Sequence, residues 1–430
     1  MIRRFKEVYI DPYFSPRVLS IAFFAFPYGM MFFLMVITPQ VWLKEIGVEK
    51  TNIGLFALVS VPYVFKFLWA PMVDVVKLPL LHRLGQRRSW LIFIHVCLII
   101  GLMAMGFSDP RPDHLLPIGV TALILSFLAA TQDIIVDAYR IEILNKDQSI
   151  PGVSMLIFGY RLGSLTAKAG PLYLAHYFNW TVAYSIMALL IGVGIIATLF
   201  SPEPIHPKKK RTIYTTVIEP FYELIKRSSF WPAVFSFVIL YRFGDAMINN
   251  MASAFYLEIG FSKTQIASVM NIFGICATIA GGFLGAAVVR RFKVYGGLAV
   301  CGILHALSNL MLVVLAVAGN DLFLFYTSVA IENITGGMAT TAFFVYLSRL
   351  CRLNSAATQF ALLTSLWSLS TPLASFSGWI VDHLNGNWIA FFLLTVLAAL
   401  PGLFLIRLLP NYGVGNEGAI DPVDLKKGTK

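Results

Sequence analysis

Charge is sparse in this sequence. Only 13% of its 430 residues are Asp, Glu, Lys or Arg, about half the share of a soluble globular domain. So little charge cannot cover the surface of a soluble chain this size, which excludes a cytosolic enzyme and a disordered protein. Cysteine is scarce too, with Cys97, Cys276, Cys301 and Cys351 the only four. None forms a CxxC pair and three fall in apolar runs. A secreted disulfide scaffold is therefore excluded, and the thiols read as small buried hydrophobes. Catalytic signatures are missing as well: there is no G-x-x-x-x-G-K-[ST] phosphate loop, no H-E-x-x-H zinc motif and no G-x-S-x-G elbow. No metal or cofactor is expected.

What the chain does have is hydrophobicity, 58% of residues with a mean hydropathy of +0.76, in long blocks between short polar loops. A helix needs about 20 apolar residues to cross the hydrocarbon. Twelve such spans fit, at 18–43, 51–75, 89–107, 115–139, 150–176, 180–200, 231–257, 262–289, 295–317, 321–347, 355–381 and 387–408. The expected fold class is all-α and polytopic, with twelve transmembrane helices. A polar stretch to Arg17 separates the basic start, Met1-Ile2-Arg3-Arg4-Phe5-Lys6, from the first apolar block. That block is too long for a signal-peptide core and has no small-residue cleavage site, so an uncleaved first helix is expected.

The net charge of +11 is explained by placement rather than by a nucleic-acid partner. With Lys263 and Arg407 counted in the loops they border, 25 of the 33 Lys and Arg fall in the termini and even-numbered loops and 4 in the odd-numbered loops. By the positive-inside rule both termini are then cytoplasmic.

Residues 201–230 form the longest polar stretch, with Lys208-Lys209-Lys210-Arg211 and four prolines. They divide a six-helix bundle at 1–200 from a second at 231–408, and a polar tail at 409–430 is expected to be disordered. Within the linker, Glu219 to Leu224 reads as a short interfacial helix. An internal repeat supports the division. Glu45-Ile46-Gly47, Lys50-Thr51 and Ile53 recur as Glu258-Ile259-Gly260, Lys263-Thr264 and Ile266, 213 residues on. Asn179-Trp180 recurs as Asn387-Trp388, 208 residues on. Two parallel six-helix repeats describe the major facilitator architecture, in which substrate binds near the midplane between the halves. His95 and His305, 210 apart, read as repeat partners, either satisfied interior histidines or site residues.

Charges inside the spans are costly, about 2.5–3.5 kcal/mol each at a helix centre, so each needs a partner or a wet cavity. The mid-span bases are Lys66, Arg161, Lys168 and Arg242, and the acids are Asp133, Asp137, Asp245 and Glu332. Arg242 and Asp245 share a face at i,i+3, continued by Asn249; a structural pair and a substrate site both fit. Glu332, beside Gly336 and Gly337, reads as a coupling residue or as an interhelical lock to Arg242 or Lys66. Asp133 is deep in span 4, while Asp137 is expected near the cytoplasmic surface as a solvated or latch carboxylate. Arg161 and Lys168 share a face of span 5, with snorkelling of Lys168 the competing reading to a site role.

These segments also resemble a known family. Phe65-Lys66-Phe67-Leu68-Trp69-Ala70-Pro71 with Asp74, Arg87-Arg88-Ser89-Trp90, Ala130-Thr131-Gln132-Asp133-Ile134 with Asp137-Ala138, Gly159-Tyr160-Arg161-Leu162-Gly163, and Ala197 to Pro204 are similar to AmpG-type muropeptide permeases. The likeness covers most of residues 15–204. Eukaryotic acetyl-coenzyme A transporters share the Ala-Pro-x-x-Asp and Thr-Gln-Asp-Ile elements. Two positions depart from pattern: Ala70 opens the facilitator signature, and Gly85-Gln86-Arg87-Arg88 replaces a Gly-Arg-Arg-Arg run.

The resemblance implies a proton-driven importer of anhydro-muropeptides in a Gram-negative inner membrane. A monomer among lipids is expected. Another anionic metabolite, such as an acyl-coenzyme A or a peptide, is the alternative cargo; a membrane enzyme or sensor is the alternative class. A muropeptide's carboxylates suit Arg161, Arg242, Lys66 or Lys168. Its sugars suit the rings of Tyr160 and Tyr241, with Gln132 and Asn249 as further polar contacts. Asp133, expected to pair with Arg161, leads as proton-coupling residue, with Asp245 and Glu332 in reserve. Asp74 is expected to latch to Arg87 or Arg88, with Asp137 part of the same gate.

Overall fold

The computed structural model describes residues 10–49, 52–53, 56–79, 81–204 and 231–409. The expected interfacial helix at 219–224 and the tail beyond Leu409 lie outside the described residues. Among the described residues the backbone is helical throughout, save for turns and one isolated bridge between Arg111 and His114.

Helix α1 (Pro16–Phe32) passes through a π-helical turn (Phe33–Ile37) into α2 (Thr38–Glu45). Predicted span 2 is not one rod. It is built from α3 (Val61–Phe65) and α4 (Ala70–Val75), joined through a 3-10 turn at Lys66–Leu68. Each short helix has a proline at its second residue, Pro62 or Pro71, which lacks the amide hydrogen that would continue the preceding turn. Then come α5 (Gln86–Gly106), α6 (Leu116–Ile143), α7 (Lys146–Tyr177) and α8 (Trp180–Phe200).

Predicted span 7 is also interrupted, into α9 (Trp231–Leu240) and α10 (Phe243–Glu258), with a turn at Tyr241–Arg242 between them. After α11 (Lys263–Ala267), α12 (Gly274–Ala318) carries predicted spans 8 and 9 across a kink at Lys293, and α13 (Leu322–Leu350) follows. Predicted span 11 is α14 (Ala356–Ser368), α15 (Ser370–Leu373) and α16 (Ser377–His383), and α17 (Trp388–Leu405) is last. Seven described stretches are long and apolar enough to cross a membrane: Pro16–Glu45, Gln86–Gly106, Leu116–Ile143, Trp180–Phe200, Trp231–Glu258, Lys263–Ala318 and Trp388–Leu408. Large apolar side chains such as Ile100, Ile124, Leu189, Ile196 and Phe404 are exposed on their surfaces, as expected of a multi-pass protein in hydrocarbon.

The sequence repeat is a repeat of capping chemistry. Helix α2 ends with Ile46 and Val48 amides bonded back to Trp42 and Leu43, and Gly47 at φ +86°. Helix α10 ends with Ile259 and Phe261 amides bonded back to Phe255 and Tyr256, and Gly260 at φ +96°. Only glycine adopts that left-handed turn cheaply. Asn179 and Asn387 likewise cap α8 and α17, accepting from Val182 N at 2.8 Å and Ala390 N at 3.0 Å.

The described residues fall into two compact units. One holds residues 10–204 with Cys351–Leu362; the other holds 231–350 and 363–409. The start of α14 therefore groups with the first half, which the sequence division at 201–230 did not anticipate. In the first unit α1 packs closely on α7. A Cβ on Gly159 would sit 2.1 Å from the Ala22 carbonyl oxygen, and one on Gly163 2.0 Å from that of Phe26. Small residues permit this approach between membrane helices. In the second unit α12 packs on α13, and Phe255, Tyr256, Phe325, Trp388, Phe391 and Phe392 form an aromatic core.

Candidate transport site

In the first unit the broken second span carries Lys66 into the interior, where Nζ meets Asp133 Oδ2 of α6 at 3.3 Å. Both side chains are almost wholly buried. Desolvating two such charges is recovered only by their close approach. The cation beside Asp133 is thus that of Lys66, where Arg161 was expected. The 3-10 turn at Lys66–Leu68 swings Lys66 onto α6, an effect of tertiary path that residue spacing does not encode. Tyr28, Tyr63 and Tyr160 stand within electrostatic range of Asp133, and Tyr28 meets Tyr160 edge-on at 5.1 Å. The Tyr63 hydroxyl, Asp133 Oδ1 and Gln132 Oε1 are buried without hydrogen-bond partners. Gln132 Nε2 lies 3.1 Å from His95 Nε2. Arg161 is half-buried on α7 beside Tyr160. Lys168 stands over the Phe33 ring at 4.9 Å, next to the π-helical turn, a cation–π seat.

At the end of α4, Asp74 accepts from Arg87 Nη2 at 2.6 Å. Arg87 also holds Glu142, with Nε and Nη2 at 2.9 and 2.6 Å, and the Val73 carbonyl at 3.1 Å. The other Asp74 oxygen accepts from Thr358. Arg88 does not join this cluster. One residue further round α5, it points to α8 and donates to the carbonyls of Thr198 and Leu199, both at 3.0 Å. Asp137 corrects a second expectation. It is buried, not surface-exposed, because α6 continues past it to Ile143, and it pairs with Arg140 Nη2 at 3.3 Å. Arg140 in turn lies 5.2 Å from the Phe360 ring centroid.

In the second unit the break in span 7 places Arg242 at the N-cap of α10. Arg242 pairs with Asp245 and donates to Thr340 Oγ1 of α13 at 2.6 Å. Asp245 also faces His305 Nε2 of α12 at 3.5 Å. Gly336 makes room for the group: a Cβ there would lie 3.3 Å from His305 Cε1 and 3.8 Å from Arg242 Nη2. Glu332 lies within electrostatic range of Asp245 and Arg242. The alternative reading of Glu332, a lock to Arg242, is not seen among the described residues, where Arg242 pairs with Asp245. Asn249 is exposed and donates to the Asp245 carbonyl at 2.9 Å. Tyr241 is not a sugar platform. Its ring stacks on Phe343 at 5.5 Å and its hydroxyl donates to the Leu298 carbonyl at 2.9 Å, so it is a core residue. Sequence reasoning missed Tyr28, Tyr63, Glu142, Thr340 and Thr358. For Tyr28 there was a signal: it precedes Tyr241 by the same 213-residue interval that relates the repeats.

Interrupted helices that carry buried ion pairs, in an apolar all-helical chain, mark a membrane carrier. The comparisons agree. The family model described as Major Facilitator Superfamily matches residues 19–375. A crystal structure of the Major Facilitator Superfamily transporter FucP shares the fold, with a TM-score of 0.66 and 12% identity, over 92% of this chain and 99% of that one. A transporter named AmpG 4 from Rickettsia conorii is 34% identical over 91% of this chain and 96% of its own length. The anhydromuropeptide permease of Escherichia coli K12 is 32% identical over 93% of this chain and 80% of its own. The likeness therefore extends well beyond residues 15–204. The chain belongs to the Major Facilitator Superfamily and, within it, to the AmpG-type permeases. It is a carrier by class and not an enzyme.

Proposed function

We propose that this chain imports anhydro-muropeptides across the bacterial inner membrane as a proton-coupled secondary transporter, by alternating access. The observation that carries the reading is the 32% identity to the E. coli anhydromuropeptide permease over 93% of the chain. Twelve membrane-spanning helices in two six-helix bundles, 1–200 and 231–408, joined by the linker 201–230, with both termini and the tail 409–430 in the cytoplasm, complete the proposed architecture. The 25 to 4 distribution of basic residues supports that orientation. The protein works as a monomer among lipids and needs no cofactor beyond the proton gradient.

Arg161 and Arg242 are proposed to receive the substrate carboxylates, since a guanidinium can bind a carboxylate through two parallel hydrogen bonds. Asp133 is the proposed proton carrier, held by Lys66 when ionised. The test is counterflow in proteoliposomes holding the purified chain, with anhydro-muropeptide set against acetyl-coenzyme A. Exchange of the muropeptide supports the reading. Exchange of acetyl-coenzyme A alone replaces the cargo, and exchange of neither rejects both.

A further inference from the structure

His305 of α12 and Asp245 of α10 meet with Nε2 and Oδ1 at 3.5 Å. On the far side of the ring, Nδ1 lies 3.2 Å from Thr335 Oγ1. That hydroxyl has one proton and three closer acceptors: the carbonyls of Ile331 at 2.7 Å and Glu332 at 3.1 Å, and Ser308 Oγ at 3.0 Å. The bond to Ile331 is the one a helical threonine ordinarily makes to the preceding turn. Ser308 gives its own proton to the His305 carbonyl at 2.7 Å, so it has none for Thr335. Thr335 therefore accepts from Nδ1–H, and the hydrogen-bond network assigns the neutral tautomer. The bare nitrogen, Nε2, then faces a carboxylate oxygen. Two acceptors confront each other, and Nε2 is buried without a hydrogen-bond partner.

We propose that the gap between His305 Nε2 and Asp245 Oδ1 is a second exchangeable-proton site, in the second half of the chain, which favours anion binding at Arg242. This inference rests on the transport reading above. A proton entering the gap forms the N–H bond at Nε2 and turns an acceptor–acceptor contact into an imidazolium–carboxylate hydrogen bond. On release that bond breaks, the proton returns to water and the neutral ring remains. With the proton in place Asp245 is held by two cations, so Arg242 is freer to turn to a substrate carboxylate. Proton and anion thus favour each other's binding, as carrying both together requires. Other titratable or charged groups near the pair are Arg242 and Tyr241 at the α9–α10 turn, Glu332 on α13 and Cys301 on α12. The Tyr241 hydroxyl is spent on Leu298, and α17 offers only the uncharged Thr395.

The test uses the full chain labelled with 15N-histidine. The His305 ring signals, identified by their loss in His305→Gln, are expected to report the Nδ1–H tautomer when neutral and a proton gained at Nε2 as the pH is lowered. Asp245→Asn is expected to shift that titration, and Thr335→Val to release the tautomer. An Nε2–H tautomer in the unmodified protein, or a titration indifferent to Asp245→Asn, overturns the proposal. In proteoliposomes, His305→Gln is expected to lose muropeptide accumulation driven by a pH gradient; accumulation equal to that of the unmodified chain also overturns it. Should that variant fail to fold, His305→Asn takes its place, while Thr335→Val keeps the imidazole itself. Absence of muropeptide counterflow in the unmodified chain sinks the transport reading alone, and the ring titration still decides whether the proton site exists.

Discussion

Asp74 and Thr358, 284 positions apart in sequence, are joined through a single carboxylate oxygen. Asp74 Oδ2 accepts from the Thr358 amide at 3.0 Å and from its hydroxyl at 2.7 Å. The first amides of a helix have no partner within it, and α14 begins only two residues earlier, so Asp74 satisfies a donor that would otherwise be buried and unpaired. The opposite oxygen holds Arg87 at 2.6 Å, which fixes the carboxylate from both sides.

Replacing Asp74 by Asn removes the charge from this joint while nearly preserving its shape. Hydrogen bonds to a charged group contribute about 2 kcal/mol, so exchange of the Thr358 amide with deuterium should quicken by about thirtyfold in Asp74→Asn. On the proposed alternating-access reading, conformation-sensitive crosslinking should change in parallel. Unaltered exchange would mean that Asp74 is not the residue holding the start of α14.

The Lys66–Asp133 pair lends itself to a double-mutant cycle. Lys66→Met strands a buried carboxylate, at an expected cost of about 3–5 kcal/mol, and Lys66→Met with Asp133→Leu should recover most of it. Thermal unfolding in detergent reads both. Asp133→Asn, fixed in the uncharged state, should keep muropeptide exchange at equal pH and lose uptake driven by a pH gradient. An Asn variant that still concentrates substrate on a pH gradient alone would move coupling away from Asp133.

Arg161→Lys and Arg242→Lys keep the charge and lose the planar fork. Each should weaken muropeptide binding by about tenfold, equivalent to about 1.4 kcal/mol, with the melting temperature little changed for Arg161→Lys. Arg242→Lys should also lower it, since Arg242 reaches Thr340 and Asp245 through two separate guanidinium nitrogens, a spread that a single ammonium nitrogen does not reproduce. Equal affinities in both variants and the unmodified chain would leave the two arginines as structural residues only.

Lys293, between predicted spans 8 and 9, has φ +61° and ψ 179°, a region that is nearly glycine's alone. Gly85, at the equivalent junction of the first half, sits at φ +105° and ψ 168°. Lys293→Gly should therefore raise stability by about 1 kcal/mol after the extra entropy of glycine in the unfolded chain is counted. A lower melting temperature would show that the lysine's contacts outweigh its strain.

The sequence by itself determined the class of the protein, the helical segments and the two-fold repeat, because hydrophobic period, charge placement and capping residues act locally. Glu45-Ile46-Gly47 and Glu258-Ile259-Gly260 end their helices in the same way because both the left-handed glycine and the back-bonded amides lie within a few residues of each other. The expensive residues were legible too: a charge in an apolar run stands out whatever it touches. Which charges meet was decided only by the tertiary structure. Lys66 reaches Asp133 because prolines break span 2. Arg87 took the place beside Asp74 and Arg88 did not, because a step of one residue turns a side chain about 100° around a helix. Tyr241 became a core residue because Phe343 happens to stack on it from another helix. Partners 98 or 284 positions apart, Thr340 for Arg242 and Thr358 for Asp74, leave no local trace, since their meeting depends on how whole helices pack.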